Sequence, residues 1–457
     1  MKVAGEACAA AAEAGLDKAA IREAIAALVA DPKAYAADPH FGPLSIAIAG
    51  AKAAQQLYIP RTESAPWRQW GTDLEPSAVD QLRNACNLPV AVAGALMPDA
   101  HQGYGLPIGG VLATDNAVIP FAVGVDIACR MKLTVLDLPV SALTGQRGRL
   151  VNALEKETFF GVGAGNRGRR QHDVMDEDWT VTPITTSLKD RAADQLGTSG
   201  SGNHFAEFGT LTLDHDDLGL TAGVYLALLS HSGSRGTGAG VAEHYSKLAM
   251  SKHPELPKEL IHLAWLDLDS QEGQEYWLAM ELMGRYAAAN HELIHRHIAR
   301  HLGAEVLLDI ENHHNLAWKE RLDASLPGGL GGREVIVHRK GATPAGAGVL
   351  GIIPGSMGTA GYVIRGRGNA ESLLSASHGA GRKMSRTAAK ERFTWHDAKK
   401  FLAEHNVELI SAGLDEVPMA YKDIETVMAA QADLVEPVAR FDPRLVKMAP
   451  GGERPED

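Results

Sequence analysis

The chain has 457 residues, 45% of them hydrophobic and 22% charged, with a formal net charge of −12. That length buries a large core, as one large domain or two to three ordinary ones; the charge argues against a protein coated in nucleic acid. No apolar run approaches the roughly 18–20 residues that cross a bilayer, and three cysteines (Cys8, Cys86 and Cys129) give no disulfide framework, so a reducing cytoplasm is expected.

Met1–Glu6 mimics a signal peptide weakly, but Glu6 and Glu13 interrupt its alanine run. Residues 17–31 read as an amphipathic helix capped by Asp17, with Ile21, Ile25 and Leu28 on one face. From about 88 to 137 the pattern turns strand-like, with Val and Ile runs broken at glycine turns. Residues 144–195 look irregular and polar, as a surface excursion or lid would. Short strands follow at 223–230, 304–310, 334–338 and 361–365, with a long helix over 273–301 between two of them. Thr394 and Asp397 read as a capping box opening a helix over 395–404. Strands and helices mix without regular alternation, which predicts an α+β fold: a helical appendage over 1–60 and one large catalytic domain of mixed sheets and surrounding helices over 61–457.

Candidate metal ligands fall at predicted strand ends, where a rigid scaffold aims side chains into one cleft. Asp126 and Cys129 lie three residues apart after a glycine turn. Asn203-His204 closes the loop Gly197–Gly202, His231 follows the apolar run 223–229, and His314 follows the strand ending near Ile310. One carboxylate, one thiol and three imidazoles offer hard and soft donors together; zinc is the default by affinity, and manganese suits a carboxylate-containing site with open positions. Each residue alone has a plain structural reading in a chain with 19 histidines. His291-Glu-Leu-Ile-His295 matches the zinc-protease helix motif, but the helical pattern continues through His297 and His301, so a solvated histidine-rich face is the plainer account.

The stretch Ser375-Ala-Ser-His378-Gly-Ala-Gly-Arg382 sets a histidine among small residues, ahead of a helix carrying Arg382, Lys383, Arg386, Lys390 and Arg392. Glycine lets a bulky anion approach the backbone, and helix-start N–H groups attract phosphate. The chemical reading is a nucleophile for phosphorus; the structural one is a turn before a solvated basic helix. Further basic clusters occur at Arg167, Arg169 and Arg170, at Arg333, His338, Arg339 and Lys340, and at Arg365 and Arg367. A basic cleft in an acidic body fits a polyanionic substrate, as does ordinary charge mixing.

Taken together the segments resemble the RNA-splicing ligase (RtcB) family. The matching stretches are Met97-Pro-Asp-Ala-His101-Gln-Gly-Tyr-Gly, Pro107-Ile-Gly-Gly, Val123-Gly-Val-Asp126-Ile-Ala-Cys129, Gly200-Ser-Gly-Asn203-His204-Phe-Ala-Glu207, His231-Ser-Gly-Ser-Arg235-Gly, His314-Asn315, His338-Arg-Lys-Gly-Ala-Thr343, Pro354-Gly-Ser-Met-Gly-Thr359 and His378-Gly-Ala-Gly-Arg382-Lys-Met-Ser-Arg386. They run in family order from about residue 88 to the C-terminus.

The resemblance implies a GTP- and manganese-dependent RNA ligase. It would join 3′-phosphate or 2′,3′-cyclic phosphate ends to 5′-hydroxyl ends through a histidine–GMP intermediate, in RNA splicing or repair, with room for an activating partner protein. Carried over by position, Cys129 would bridge two Mn²⁺ ions, with Asp126 and His204 serving one and His231 and His314 the other. His378 would carry the guanylate. Asn203 and Arg235 would meet GTP phosphates, and Glu207, Ser356, Tyr421 and Lys447 would form the guanosine pocket. The family's terminal lysine-glycine reads Lys447-Met448 here, Gly361 replaces a serine near the guanine, Ser199 replaces Leu or Ile, and Arg130 replaces glycine after Cys129. The alternative class is a dinuclear-metal phosphoesterase acting on RNA ends, which would need the metal ligands but not His378.

Overall fold

A computed structural model of the chain describes residues 2–55, 58–166 and 168–452; Arg167 of the basic clusters lies outside them. Its architecture is α+β, two main sheets with helices packed against them. In the larger sheet the order is Leu350–Ile353, Gly361–Gly366, Val435–Met448, Phe205–Leu213, Gly223–Ser232, Arg130–Leu136 and Val306–His313, every neighbouring pair antiparallel. Glu408–Ser411 adds in parallel to Val435–Met448.

Side chains alternate faces along each strand. Phe208, Leu226 and Leu228 pack against Ile294, Ile298 and Leu302 of the helix Gln271–Leu302. On the opposite face Met131, Leu133, Leu211, Leu229 and Phe441 meet Ile352 and Val363 across a curled interior. The curl brings the two outer strands together, and Asn312 spans the seam. Its amide oxygen accepts from the Ile352 N–H at 2.8 Å, and its amide nitrogen donates to Thr343 Oγ1 at 3.3 Å.

The smaller sheet has the order Trp67–Gln69, Ala91–His101, Ile108–Thr114, Glu334–Lys340 and Asn315–Arg321. The chain steps from the larger sheet to the smaller at His314, between Val306–His313 and Asn315–Arg321. Antiparallel register fixes what lies at that junction. Arg130 stands opposite both Ser232 and His313, and His231 stands opposite Phe205 and Met131. Two strands therefore begin, and two end, at the same edge. Residues 126–129, 204, 231 and 314 share that edge.

The helix expected over 273–301 spans Gln271–Leu302, opened by the Ser270 side chain and closed by Gly303 at φ 54°. Asp17 caps Lys18–Ala30, and the Thr394/Asp397 capping box opens Trp395–Glu404. The four short strands form as Gly223–Ser232, Val306–His313, Glu334–Lys340 and Gly361–Gly366. The 88–137 region holds the strands Ala91–His101, Ile108–Thr114, Ala117–Val118 and Arg130–Leu136, joined by loops and the helical turn Pro120–Val123. The expected irregular lid over 144–195 is largely helical instead, with Arg147–Glu157 and Pro183–Gln195. A Thr182/Thr185 capping box with Pro183 in the first turn starts the second helix, and Leu150, Leu154 and Trp179 are buried beneath the polar outer faces. Near the N-terminus, Lys2–Glu13, Lys18–Ala30 and Gly42–Gln55 share a core of Ala7, Ala11, Leu28, Phe41 and Leu44. Among the described residues, no helix is long and apolar enough to cross a membrane.

Asn312→Ala would leave the buried Ile352 N–H without its partner. The variant is expected to lose about 1–3 kcal/mol of stability in a chemical or thermal melt. A melt that matches wild type would show that the seam closes without this amide.

Candidate active site

The turn before Arg130–Leu136 aims Asp126 and Cys129 to one side. Ala128 takes φ 57°, and its N–H donates to the Asn315 carbonyl at 2.6 Å. Asp126 Oδ1 accepts the Ser234 N–H at 2.9 Å. A Cβ on Gly233 would stand 2.1 Å from Asp126 Oδ2, so only glycine fits beside that carboxylate.

Backbone carbonyls fix the tautomers of two imidazoles. His204 Nδ1–H donates to the Ser199 carbonyl at 2.7 Å, and His231 Nδ1–H to the Asn203 carbonyl at 3.3 Å. Each Nε2 therefore presents a lone pair. His204 Nε2 lies 3.1 Å from Asp126 Oδ2 and 3.5 Å from Cys129 Sγ. His231 Nε2 lies 3.0 Å from Cys129 Sγ and 3.3 Å from His314 Nε2. All five residues are buried. Burial, helped by the neighbouring His204, pulls the His231 pKa down to about 3, and burial likewise holds His314 well below the ordinary imidazole range.

Neutral imidazole lone pairs thus converge on a thiol and a carboxylate away from water. Such an arrangement is repulsive until a cation sits among the donors. Cys129, His204 and His231 offer ligand atoms that all lie within 4.8 Å of one another. The donor set fits a metal site.

His378 adjoins this cluster, its ring centroid 5.0 Å from that of His314. The fully buried Asp99 organises it. Asp99 Oδ2 accepts from His378 Nδ1 at 2.7 Å, from the His378 N–H at 3.1 Å and from the Gly379 N–H at 3.3 Å. Burial works against the Asp99 charge, yet the hydrogen bond from His378 holds its carboxyl below the usual range. That leaves His378 Nε2 as the free ring nitrogen. Sequence reasoning did not single out Asp99 as a site residue, although it stands within Met97–His101. His378 does not open the basic helix: that helix runs Arg386–Arg392 behind an Ser385 cap, and the N–H groups at 378–379 serve the carboxylate.

An open-mouthed cavity is lined by His231 and His378 and by Asn203, Glu207, Ser356 and Tyr421. The buried Asn203 amide oxygen has no hydrogen-bond partner among the described residues. Ser356 Oγ lies 2.9 Å from Thr359 Oγ1. The Tyr421 hydroxyl meets Glu416, and Arg382 stacks over its ring at 5.2 Å. Arg382 and Glu416 also line the cavity and were not among the expected site residues. Glu207 stands among Met131, Leu229, Phe441 and Val446, and burial raises its pKa well above the ordinary carboxyl value.

Two other expected residues, Lys447 and Arg235, do not line the cavity, although Arg235 Nη1 lies 3.5 Å from His204 Nδ1. Lys447 is turned out of the cavity; its ammonium donates to the Leu154 and Thr158 carbonyls at 3.1 Å, and burial lowers its pKa to about 8. Strand alternation gives the adjacent cavity positions to Val446 and Met448. Arg235 is buried under the 197–202 loop with Nε on Thr198 Oγ1 at 3.2 Å. The Arg333–Lys340 segment is no open basic cluster. His338 is buried and neutral, its pKa brought down to about 4 by burial, and Arg339 is paired with Glu320 at 2.6 Å. Arg386 and Lys390 reach Asp415 at 3.1 and 3.6 Å.

The expected solvated face at His291 and His295 is instead buried. Ser230 Oγ joins His291 Nδ1 at 3.0 Å to His295 Nε2 at 2.7 Å, and burial holds both imidazoles neutral. Both residues turn toward the sheet because the helix Gln271–Leu302 lays this face on it. Glu292 points outward to His172 and Arg296, away from both rings. The protease motif is therefore not assembled.

A cluster of metal donors beside a carboxylate-oriented histidine, opening on one cavity, suits group transfer to or from a bound phosphate. Comparison with known proteins is specific. A family model described as tRNA-splicing ligase RtcB matches residues 81–183 and 177–448. The chain is 34% identical over 406 residues to the RNA-splicing ligase RtcB of Escherichia coli strain K12, covering 82% of this chain and 95% of that protein. It is 32% identical over 445 residues to the tRNA-splicing ligase RtcB of Nanoarchaeum equitans, with 81% and 91% covered, and 30% identical over 422 residues to an RNA-splicing ligase RtcB homolog of Entamoeba histolytica, with 77% and 79% covered. The chain belongs to the RtcB family.

Gly233→Ala forces a methyl group into Asp126 without removing any donor. It is expected to weaken Mn²⁺ binding in calorimetry about 10–100-fold, the usual cost of disturbing the support of a metal ligand, while circular dichroism stays near wild type. Unchanged affinity would show that Asp126 is not held where a cation binds.

Proposed function

We propose that this protein is an RNA ligase that joins RNA 3′-phosphate or 2′,3′-cyclic phosphate ends to 5′-hydroxyl ends, with GTP as co-substrate and His378 as the guanylate carrier. The observation that carries the reading is His378 itself. Its Nδ1–H is committed to Asp99, and its ring adjoins the Cys129/His204/His231/His314 cluster. Two manganese ions are the proposed occupants, and Asp126, Cys129, His204, His231 and His314 would hold them. When bound, they supply positive charge against phosphate oxygens.

The chain's own residues then do the following. Asp99 fixes the His378 tautomer and leaves the Nε2 lone pair to attack the α-phosphorus of GTP, with pyrophosphate leaving. Histidine suits this step because its neutral ring is a nucleophile near pH 7. The Asn203 amide has a free oxygen and a donor group to orient the nucleotide. GMP passes from Nε2 to the RNA 3′-phosphate, and the 5′-hydroxyl oxygen attacks that activated phosphorus, expelling GMP. Glu207, as a carboxylate, accepts the N1–H and exocyclic amine of guanine together, whereas adenine presents an acceptor at N1. Cys8, Cys86 and Cys129 form no disulfide among the described residues, which fits a reducing cytoplasm. The N-terminal helices, with their own core, are proposed as an appendage separate from the catalytic domain over 61–457.

Incubation with α-labelled GTP and Mn²⁺ separates ligase from phosphoesterase. Wild type is expected to form an acid-labile, alkali-stable adduct, and His378→Ala none, with manganese content near wild type. An adduct on His378→Ala would remove this residue as nucleophile; no adduct on either protein would favour the phosphoesterase. Glu207→Gln is expected to weaken GTP and narrow its preference over ATP, toward parity from a ceiling of about 10⁴–10⁵ for sites built on hydrogen bonds. A variant that keeps the wild-type preference would clear Glu207 of reading the base.

A further inference from the structure

The tip of the hairpin between Ala91–His101 and Ile108–Thr114 carries Tyr104, whose residue surface is 66% exposed. An exposed aromatic alone means little. Its mounting is unusual, because the backbone around the ring is pinned from three sides. Gln81 takes both polar groups of Gly103, accepting its N–H at 3.0 Å and donating to its carbonyl at 2.6 Å. Lys340 Nζ donates to the Tyr104 carbonyl at 2.6 Å. Gly105, at φ 70°, packs so close that a Cβ would stand 2.7 Å from the His262 carbonyl. His262 stands edge-on to the Tyr104 ring at 5.7 Å and is itself backed by Phe121 at 4.7 Å. A rigid loop thus offers an open aromatic face with a second ring at its side.

The position of this platform matters as much. His101 and Ile108, at the base of the hairpin, are paired across it and both line the catalytic cavity. Next to Lys340, a Cβ on Gly341 would lie 2.5 Å from Ile108 Cγ2 and 3.1 Å from His378 Cε1. Tyr104 is three positions beyond His101, so the platform lies within about 11 Å of the cavity wall along the chain. That is the reach of one or two nucleotides.

We propose that Tyr104, flanked by His262, is a stacking subsite for a nucleobase at or next to the RNA end being joined. Any base presents a π face, so such a subsite grips RNA ends of many sequences. The inference rests on the ligase reading. Nothing in it requires a base-specific contact, which suits an enzyme whose chemistry addresses only the terminal phosphate and hydroxyl.

The test is a cycle between protein and RNA, using the full-length enzyme with Mn²⁺ and GTP. Tyr104→Ala is expected to raise the KM for RNA roughly 5- to 150-fold, the range for stacking one base on an aromatic ring, with a smaller change in kcat. Tyr104→Phe, which keeps the face, is expected to restore it. RNA with an abasic terminal nucleotide should lose the same factor on wild type and nothing further on Tyr104→Ala. Placing the abasic unit on the 3′-phosphate strand or on the 5′-hydroxyl strand identifies which end is stacked. Equal KM values for wild type and Tyr104→Ala, or additive losses with both abasic RNAs, would overturn the subsite. A wild-type protein that neither binds nor joins RNA would overturn the ligase reading and this inference together.

Discussion

The structure turns on one electrostatic conflict. Two imidazoles whose Nδ1–H groups are spent on backbone carbonyls direct their Nε2 lone pairs at a buried thiol and carboxylate, and a third imidazole faces the second of them at 3.3 Å. Positive charge among the donors stabilises that crowding of lone pairs. Much of the surrounding fold serves this arrangement. Antiparallel register lines up the starts of two strands with the ends of two others, and His314 occupies the single step between sheets. Gly233 and Gly200 leave room where a Cβ would strike Asp126 or Arg235. Asn290, from the long helix, clamps both loops, accepting the Gly197 N–H at 2.7 Å and donating to the Gly233 carbonyl at 3.0 Å.

His378 belongs to a different polar system, with its own anchor. Asp99 collects three donors from residues 378 and 379, which positions the ring without help from the metal donors. Cation binding and nucleophile placement are therefore separable. The cavity between them is lopsided. Its lining around Glu207 is largely apolar, Met448 and Gly361 included, and the Lys447 ammonium is directed away. On the proposed reading, base recognition in this chain depends heavily on one carboxyl that burial disfavours as an anion. Guanine must supply the two donors that make its charge tolerable, whereas a base offering none leaves it unpaired.

Local signals in the sequence carried much of the fold. Caps at Asp17 and Thr394, the apolar period of 273–301 and the short Val/Ile-rich strands all correspond to elements. The 144–195 region misled because its helices show charge outward and bury only scattered Leu and Trp residues. Site residues were proposed from ordered motifs, and the structure gathers Asp126, Cys129, His204, His231, His314 and His378 around one point. What could not be read was direction. Lys447 differs from its cavity-lining neighbours by strand parity, Arg339 and His338 are buried by a sheet pairing distant in sequence, and the His291/His295 face is covered by strands contributed from residues 130–136 and 223–232. Asp99 reaches His378 across 279 residues, a contact that spacing does not encode.

The central claim is that the free Nε2 of His378, held beside a cation site, takes up the nucleotide. The most direct measurement is peptide mapping by mass spectrometry after incubation with GTP and Mn²⁺, under alkaline conditions that preserve a phosphoramidate. The account requires the mass of GMP on the peptide containing His378, and its disappearance when a chelator is present from the start. GMP on another histidine or on a lysine, or unchanged labelling in the chelator, would contradict it.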